Sequence, residues 1–306
     1  MLVPLLLFAI GLVFLVKGAD LFVDGGRDLA ARYGLSASTI GFTIIAFGTS
    51  LPELSVTMNA VASGSTDVGL GNVLGSNIAN LGLILSLVVI LRPKLMNIHL
   101  SRDMLMNETL LMLIATGLYT ALALRGVIDL LSGIVFLVAF GLMVRKMGSS
   151  NKEMPVPRSP SAFRDWSFIA MGLIGVIFGS FVLLKGAVDL AVSLGIPAYV
   201  IGLSMVAVGT SIPEFATSVV AIMKGEVGIS VGNMLGSNIF NLLFILGCSS
   251  FVAPIPVPGL RDTLLVVLFA VMIIPLFLLP ERQTRWWAVL IFTGYCGYIV
   301  AIYSFV

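Results

Sequence analysis

The chain has 306 residues, of which 58% are hydrophobic and only 10% are charged. Soluble globular domains carry about 25% charged residues, and a chain of this length could not bury so much apolar surface in water. The composition therefore excludes a soluble globular domain and indicates a helical bundle embedded in a membrane. The net charge of +2 is too small to identify a partner, and Cys248 and Cys296 lie in apolar segments that indicate no disulfide framework.

Hydropathy and helix-breaking residues predict ten membrane spans along the chain. The first five are 3–31, 37–62, 68–91, 104–124 and 127–145. The last five are 166–193, 198–223, 227–252, 263–280 and 285–305. No basic region precedes the first apolar run, so it is predicted to be a retained helix and not a signal peptide. The polar, Pro- and Ser-rich residues 147–165 are predicted to be a linker between the two sets, which defines domains at 1–146 and 166–306.

The two halves repeat each other. A shift of 161 residues aligns Gly11–Ile90 with Gly172–Phe251 without a gap. The sequence GTSLPE at Gly48–Glu53 matches GTSIPE at Gly209–Glu214, and GNVLGSNIAN at 71–80 matches GNMLGSNIFN at 232–241. Because five is an odd number of spans, the second half must enter the membrane upside down. The predicted fold is an all-α membrane protein with ten transmembrane helices in two inverted five-helix repeats.

The distribution of basic residues predicts the orientation in the membrane. Most of the 17 Lys and Arg residues fall on the side that holds the linker, and only Arg125, Lys185 and Arg261 fall on the opposite side. Cytoplasmic loops carry an excess of Lys and Arg. We therefore expect a multi-pass protein of the cell membrane with a cytoplasmic linker and both termini outside.

Two acidic residues, Glu53 and Glu214, lie in the middle of apolar spans at matching positions of the repeats. A charged side chain in the centre of a membrane helix costs about 3 kcal/mol on the insertion scale. No basic residue lies within one helical turn of either acid in the sequence. The pattern predicts that a cation from solution is their partner.

The residues before each acid predict that helices 2 and 7 are broken. Pro52 and Pro213 remove a backbone donor, and Gly48 and Gly209 make local unwinding easier. A broken membrane helix releases carbonyl oxygens that a bound cation can satisfy.

The polar groups in these motifs offer oxygen, without sulfur or imidazole, and hard cations such as Ca²⁺ and Na⁺ prefer oxygen. The two carboxylates and the carbonyls of Thr49 and Thr210 predict a calcium shell. Sodium could use the same acids with further oxygens, namely those of Ser50, Ser211, Ala46 and Ala207.

A second polar stripe accompanies each motif and consists of Asn72, Ser76 and Asn80, and of Asn233, Ser237 and Asn241. Asn80 and Asn241 are predicted to bind the ion or support its ligands. Asn77 and Asn238 point to a neighbouring face and could brace the broken helices.

These paired motifs resemble the cation/calcium exchanger superfamily and, within it, prokaryotic sodium/calcium exchangers. The resemblance rests on Gly41–Leu91 and Gly202–Val252, and the ten-span pattern extends it over the chain. It implies ion sites near the middle of the membrane. The implied calcium ligands are Thr49, Glu53, Thr210 and Glu214. The implied sodium ligands are Ala46, Ser50, Glu53, Ser76, Ala207, Ser211, Glu214 and Ser237, and the central polar pair is Asn80 and Asn241.

We therefore predict an antiporter that exchanges Na⁺ for Ca²⁺ by alternating access and exports Ca²⁺. The alternatives are a proton-coupled calcium exchanger or another cation antiporter, a cation channel, and an intramembrane enzyme. The enzyme is disfavoured because the sequence has one histidine, His99, and offers no nucleophile–base pair.

Asn241 replaces an aspartate of the potassium-dependent relatives, which argues against potassium co-transport. Ions and lipid are the expected partners, with no nucleic acid and no cofactor, and the sequence leaves the oligomeric state open, a monomer included.

Overall fold

The computed structural model describes residues 2–91, 102–149, 161–195 and 209–304, and each of the ten predicted spans contains helix in its described part. Six of the described helices are long and apolar enough to cross a membrane, or seven if one bent pair is a single span. One short antiparallel pair joins Val127–Ile128 (β1) to Ile255–Pro256 (β2). The helices are Leu2–Tyr33 (α1), Ala37–Thr49 (α2), Leu51–Ala62 (α3), Thr66–Leu91 (α4), Arg102–Ala123 (α5), Leu130–Ser149 (α6), Ala162–Ser193 (α7), Ile212–Met223 (α8), Val227–Ser249 (α9), Arg261–Met272 (α10), Ile274–Leu278 (α11) and Glu281–Ser304 (α12).

The second predicted span is broken, as its sequence predicts. Helices α2 and α3 meet at a bend of 45°. In the seventh span, α8 begins at Ile212 after a turn at Thr210 and Ser211, and residues 196–208 lie outside the described part. Widened π-helical turns, which the sequence did not reveal, occur in α2, α4 and α9 and are common near functional sites. They are Gly41–Ile45, Asn80–Leu85 and Phe240–Ile245.

The contacts divide the chain into two compact units, and each unit draws on both predicted repeats. The first unit comprises Met1–Pro52 and Ser150–Asn233, and the second comprises Glu53–Ser149 and Met234–Val306. The repeats at 1–146 and 166–306 are defined by sequence similarity and the units by packing. The repeat boundaries therefore stay a prediction.

In the first unit, α1 and α7 lie so close that their backbones touch. A Cβ atom at Gly18 would lie 2.5 Å from the backbone nitrogen of Val176, so only glycine fits there. The Nε of Arg32 at the end of α1 lies 2.6 Å from a carboxylate oxygen of the buried Asp165 near the start of α7. These contacts hold the two longest helices of the described chain together along their length.

In the second unit, α4 packs closely against α10 and α12. A Cβ atom at Gly82 would lie 2.8 Å from the ring of Phe269 and 2.9 Å from Tyr295. At the start of α6, Asp129 accepts hydrogen bonds from the hydroxyl and the backbone N–H of Ser132 at 2.7 and 2.9 Å. These bonds, with a smaller contribution from Arg125, lower the pKa of Asp129 to about 2 and so keep the cap ionised.

Candidate cation-binding site

The Glu53 turn begins where α2 ends. Ser50 leaves the helical conformation with φ −87° and ψ 8°, and α3 then starts at Leu51. Pro52 lies in the first turn of α3, where its missing N–H would have had no partner within the helix. Glu53 therefore lies in the first turn of a helix, where the helix dipole favours a negative charge, and it is 1% exposed.

The Glu214 turn has the same construction. Ser211 has φ −85° and ψ 3°, and α8 begins at Ile212 with Pro213 in its first turn. Glu214 is fully buried in that first turn. The two copies of the motif therefore place a buried acid at the same position of a helix start.

In the first unit, Glu214 contacts a residue of the other sequence repeat. The hydroxyl of Ser50 donates a hydrogen bond of 2.8 Å to Oε1 of Glu214. The two residues are 164 positions apart, and both were predicted as ion ligands. The structure thus brings together two predicted site residues that belong to different halves of the sequence.

Asn233 braces the same turn. Its Nδ2 donates to the hydroxyl of Ser218 at 3.0 Å and to the backbone carbonyl of Glu214 at 3.5 Å. Its Oδ1 accepts a hydrogen bond of 3.1 Å from the hydroxyl of Thr49. One amide therefore links the Glu214 turn to the end of α2.

Asn72 braces the Glu53 turn in the second unit. Its Nδ2 donates to the hydroxyl of Thr57 at 3.0 Å and to the backbone carbonyl of Glu53 at 3.3 Å. The asparagine follows its glutamate by 19 residues in both turns. The brace is therefore duplicated together with the motif.

Four buried asparagines of the second unit form a further network, which we call the asparagine relay: Asn77, Asn80, Asn238 and Asn241. The amide of Asn77 donates to the backbone carbonyl of Asn238 at 3.2 Å, and the amide of Asn238 donates to that of Asn77 at 3.4 Å. Asn80 then donates to Oδ1 of Asn238 at 3.0 Å, and Asn241 donates to Oδ1 of Asn77 at 3.1 Å.

Several predicted ligand oxygens are buried without a hydrogen-bond partner among the described residues. Leaving a buried polar atom unsatisfied costs about 1–3 kcal/mol, and a bound cation can compensate an oxygen. These atoms are the hydroxyl oxygens of Ser76, Ser211 and Ser237 and the Oδ1 atoms of Asn80 and Asn241.

Three further predicted ligands are not among these unpartnered oxygens. The backbone carbonyl of Ala46 accepts the N–H of Ser50 at 3.1 Å and the hydroxyl of Thr49 at 3.4 Å, so the break does not release it. Thr210 lies in the turn before α8 and is 9% exposed. Ala207 lies outside the described residues.

The side chains of these clusters offer neutral hydroxyl and amide oxygens together with carboxylate oxygens. No group of three or more His, Cys, Asp or Glu side chains that could hold a metal ion occurs in the described ranges. Carboxylate, amide and hydroxyl oxygens favour Ca²⁺ and Na⁺ over transition metals.

Some residues around the clusters were not singled out from the sequence. Thr57 and Ser218, the acceptors of the two brace amides, lie at matching positions within the alignment of the repeats, which was the available signal. Glu108 is a third buried glutamate among the described residues, with 1% exposure, and its place in the predicted span 104–124 was the available signal. The role of Asn233 as a link to Thr49 had no signal in the sequence.

Comparisons with known proteins agree with these features. The family model described as "Sodium/calcium exchanger protein" matches residues 3–145 and 165–304. The chain is 32% identical over 301 residues to the uncharacterized membrane protein MJ0091 of Methanocaldococcus jannaschii, with 97% of this chain and 96% of the relative covered. It is 29% identical to the sodium/calcium exchanger MaX1 of Methanosarcina acetivorans, with 98% and 99% covered.

A solved structure extends the likeness to three dimensions. The sodium-calcium exchanger NCX_Mj soaked without Na⁺ and Ca²⁺ matches with a TM-score of 0.87 and 29% identity, covering 98% of this chain and 99% of that one. This match confirms the predicted fold class, an all-α membrane protein with ten spans in two inverted repeats and broken helices 2 and 7.

The matched family consists of membrane transporters that exchange cations for calcium, which confirms that the chain is a multi-pass antiporter and not an enzyme. The resemblance carried by the duplicated GTS-x-PE and GN-x-x-GSN-x-x-N motifs is confirmed as well, and the chain belongs to the sodium/calcium exchanger family.

Proposed function

We propose that this protein exchanges Na⁺ for Ca²⁺ by alternating access and uses the sodium gradient to export Ca²⁺. The observation that carries the proposal is the set of buried hydroxyl and amide oxygens without hydrogen-bond partners among the described residues. They are neutral acceptors at positions that the family resemblance assigns to sodium and to the central polar pair. Ca²⁺ would use Glu53 and Glu214 with the carbonyls of Thr49 and Thr210.

The same observation favours sodium over protons as the coupling ion. A proton-coupled exchanger needs groups that titrate, and carboxylates alone would serve it. Hydroxyl and amide oxygens do not titrate near neutral pH, but they are good ligands for a hard cation. Asn241 adds to this argument because an amide does not titrate near neutral pH.

The cellular context is part of the same proposal. The protein would lie in the cell membrane with both termini outside and with residues 147–165 as a cytoplasmic linker between the repeats 1–146 and 166–306. This orientation rests on where the Lys and Arg residues lie along the chain and not on the net charge of +2.

The test is uptake of ⁴⁵Ca²⁺ into proteoliposomes loaded with sodium, with Glu53→Gln and Glu214→Gln beside the parent protein. Removing one charge from a buried ionic site costs about 3–5 kcal/mol, so each variant should lose at least about a hundredfold in uptake. Asp67→Asn is the matched control because Asp67 is an exposed acid in the first turn of α4. It should transport like the parent.

Vesicles without sodium supply the second arm of the experiment. We expect almost no uptake when choline replaces the internal sodium, at any pH gradient. Full transport by Glu53→Gln or Glu214→Gln would reject the proposed ligands. Uptake driven equally well by a pH step without sodium would replace the sodium coupling with proton coupling.

A further inference from the structure

The hydrogen bonds of the asparagine relay run in a fixed direction. A backbone carbonyl oxygen only accepts hydrogen bonds. The carbonyl of Asn238 lies 3.2 Å from the side-chain amide of Asn77, so this amide must turn its nitrogen toward the carbonyl. The Oδ1 of Asn77 is then held on the opposite side of the amide. The reciprocal bond from Asn238 to the carbonyl of Asn77 fixes Asn238 in the same way.

The second step of the relay orients the two outer amides. The fixed Oδ1 of Asn77 can only accept, and the group 3.1 Å away is the amide nitrogen of Asn241. The fixed Oδ1 of Asn238 accepts from Asn80 at 3.0 Å. Flipping Asn80 or Asn241 would bring two oxygens face to face at hydrogen-bond distance, which is repulsive. Both amides must therefore turn their nitrogens toward the relay and their oxygens away from it.

The oxygens that point away are the ones that lack partners. Asn80 and Asn241 are at most 1% exposed, and their Oδ1 atoms have no hydrogen-bond partner in the described ranges. The hydroxyls of Ser76 and Ser237, equally without a partner, precede them by four residues on the same helix faces. Each helix thus presents a serine hydroxyl and an asparagine oxygen side by side.

We propose that Asn77 and Asn238 are positioning residues that orient the amides of Asn80 and Asn241, so that oxygen and not nitrogen faces the transported cation. The inference rests on the proposed function, which makes Asn80 and Asn241 ion ligands. An amide nitrogen carries a partial positive charge and repels a cation. Loss of the relay therefore weakens ion affinity, whereas the conformational change that sets the maximal rate does not depend on it.

The experiment compares Asn77→Leu with the parent in ⁴⁵Ca²⁺ uptake at graded internal sodium concentrations. Leucine has a similar size but neither donor nor acceptor. One buried hydrogen bond stabilises a conformation by about 0.5–1.5 kcal/mol, so the sodium concentration for half-maximal uptake should rise about three- to tenfold. The maximal rate should stay within about twofold of the parent. Thr116→Val is the matched control because it removes another buried hydrogen bond of the second unit, from Thr116 to the carbonyl of Met112.

The outcomes separate this inference from the proposed function. If the parent shows no sodium-dependent uptake, the proposed function fails. If the parent shows sodium-dependent uptake but Asn77→Leu reaches half-maximal uptake at the same sodium concentration, the relay has no positioning role and the inference fails. The inference also fails if Asn77→Leu loses only maximal rate and melting temperature. Asn238→Leu, which frees Asn80, should repeat the effect of Asn77→Leu. If the leucine variants do not fold, Asn77→Ser decides by the same criterion, because serine keeps a donor but is too short to hold Asn241.

Discussion

The turns that carry Glu53 and Glu214 share one construction. Each places a buried acid after a proline in the first turn of a helix, and each is braced by an asparagine that lies 19 residues further along the chain. In each, the asparagine amide donates to the backbone carbonyl of the acid and to a hydroxyl one helical turn beyond it. This part of the architecture was copied when the sequence was duplicated.

The two turns differ in their contacts with distant residues. Ser50 donates a hydrogen bond to Glu214, whereas the hydroxyl of Ser211, its counterpart, has no partner among the described residues. The comparison teaches that duplication preserves the local brace, whereas the two matching serines make different contacts. Ser50 and Ser211 therefore differ in their surroundings in this conformation, although the sequences of the two turns are nearly identical.

Among variants that keep both acids, the largest effect is expected for the braces, because they are the shared feature. Asn72→Leu leaves the hydroxyl of Thr57 and the carbonyl of Glu53 without their amide, and Asn233→Leu does the same to Ser218 and Glu214. Each variant loses two buried hydrogen bonds and leaves a buried hydroxyl without its donor, while the carbonyl keeps its helical N–H partner. Each should therefore lose about 2–4 kcal/mol in the free energy of unfolding in detergent. Sodium-driven ⁴⁵Ca²⁺ uptake should fall at least about tenfold in both.

Asn59→Leu controls for the substitution itself, since Asn59 is an exposed asparagine of α3 that bonds to the carbonyl of Ser55. We expect it to change stability by less than about 0.5 kcal/mol. If one brace variant is as stable and active as the parent while the other is inactive, the braces are not equivalent and the shared construction has no functional meaning.

Much of the fold could be predicted from the sequence because apolar spans of membrane helices dominate its composition. The predicted span 3–31 corresponds to Leu2–Tyr33, and 227–252 to Val227–Ser249. The last helix starts at Glu281, four residues before the predicted span at 285, because Glu281 and Arg282 lower the hydropathy while still forming helix after Pro280. The π-helical turns stayed hidden because an extra residue in a turn leaves no trace in hydropathy.

The candidate site was predictable to the extent that it is duplicated. The repeats revealed Glu53, Glu214 and the asparagines at matching positions, and the bend at Ser50 followed from Pro52. The bond from Thr49 to Asn233 could not be predicted, because it joins residues 184 positions apart that have no shared pattern. The compact units were not predictable from the repeats either, since packing and not sequence similarity determines them.

A smaller effect is expected for the two serines at which the turns differ. Ser50→Ala removes a hydrogen bond to a buried carboxylate, which should lower the free energy of unfolding by about 1–3 kcal/mol. Ser211→Ala removes no hydrogen bond in the described residues and should leave stability within about 0.5 kcal/mol of the parent without sodium. Both variants should raise the sodium concentration for half-maximal uptake about threefold or more, because both hydroxyls are proposed ligands.

The control for this pair is Ser193→Ala, an exposed serine whose hydroxyl donates to Leu190 in its own helix. It should alter neither stability nor sodium dependence. Equal destabilisation by Ser50→Ala and Ser211→Ala would remove the difference between the turns. A sodium dependence unchanged by Ser211→Ala would instead show that its hydroxyl is not a ligand.

The smallest effect is expected at the outer end of each brace. Thr57→Val and Ser218→Ala each remove the hydroxyl that accepts the asparagine amide at 3.0 Å, but leave the amide next to the carbonyl of the glutamate. One lost hydrogen bond should cost about 1 kcal/mol and reduce ⁴⁵Ca²⁺ uptake by no more than about threefold. In Ser218→Ala, Asn233 stays bonded to Thr49. Thermal unfolding in detergent measures both losses, with Thr293→Val as an exposed control.

Adding Thr49→Val should then increase the loss in Ser218→Ala, because it removes the remaining short bond to Asn233. If the losses in free energy of unfolding from the two substitutions simply add, Thr49 does not support the brace. The bond between the Glu214 turn and α2 then has no stabilising role.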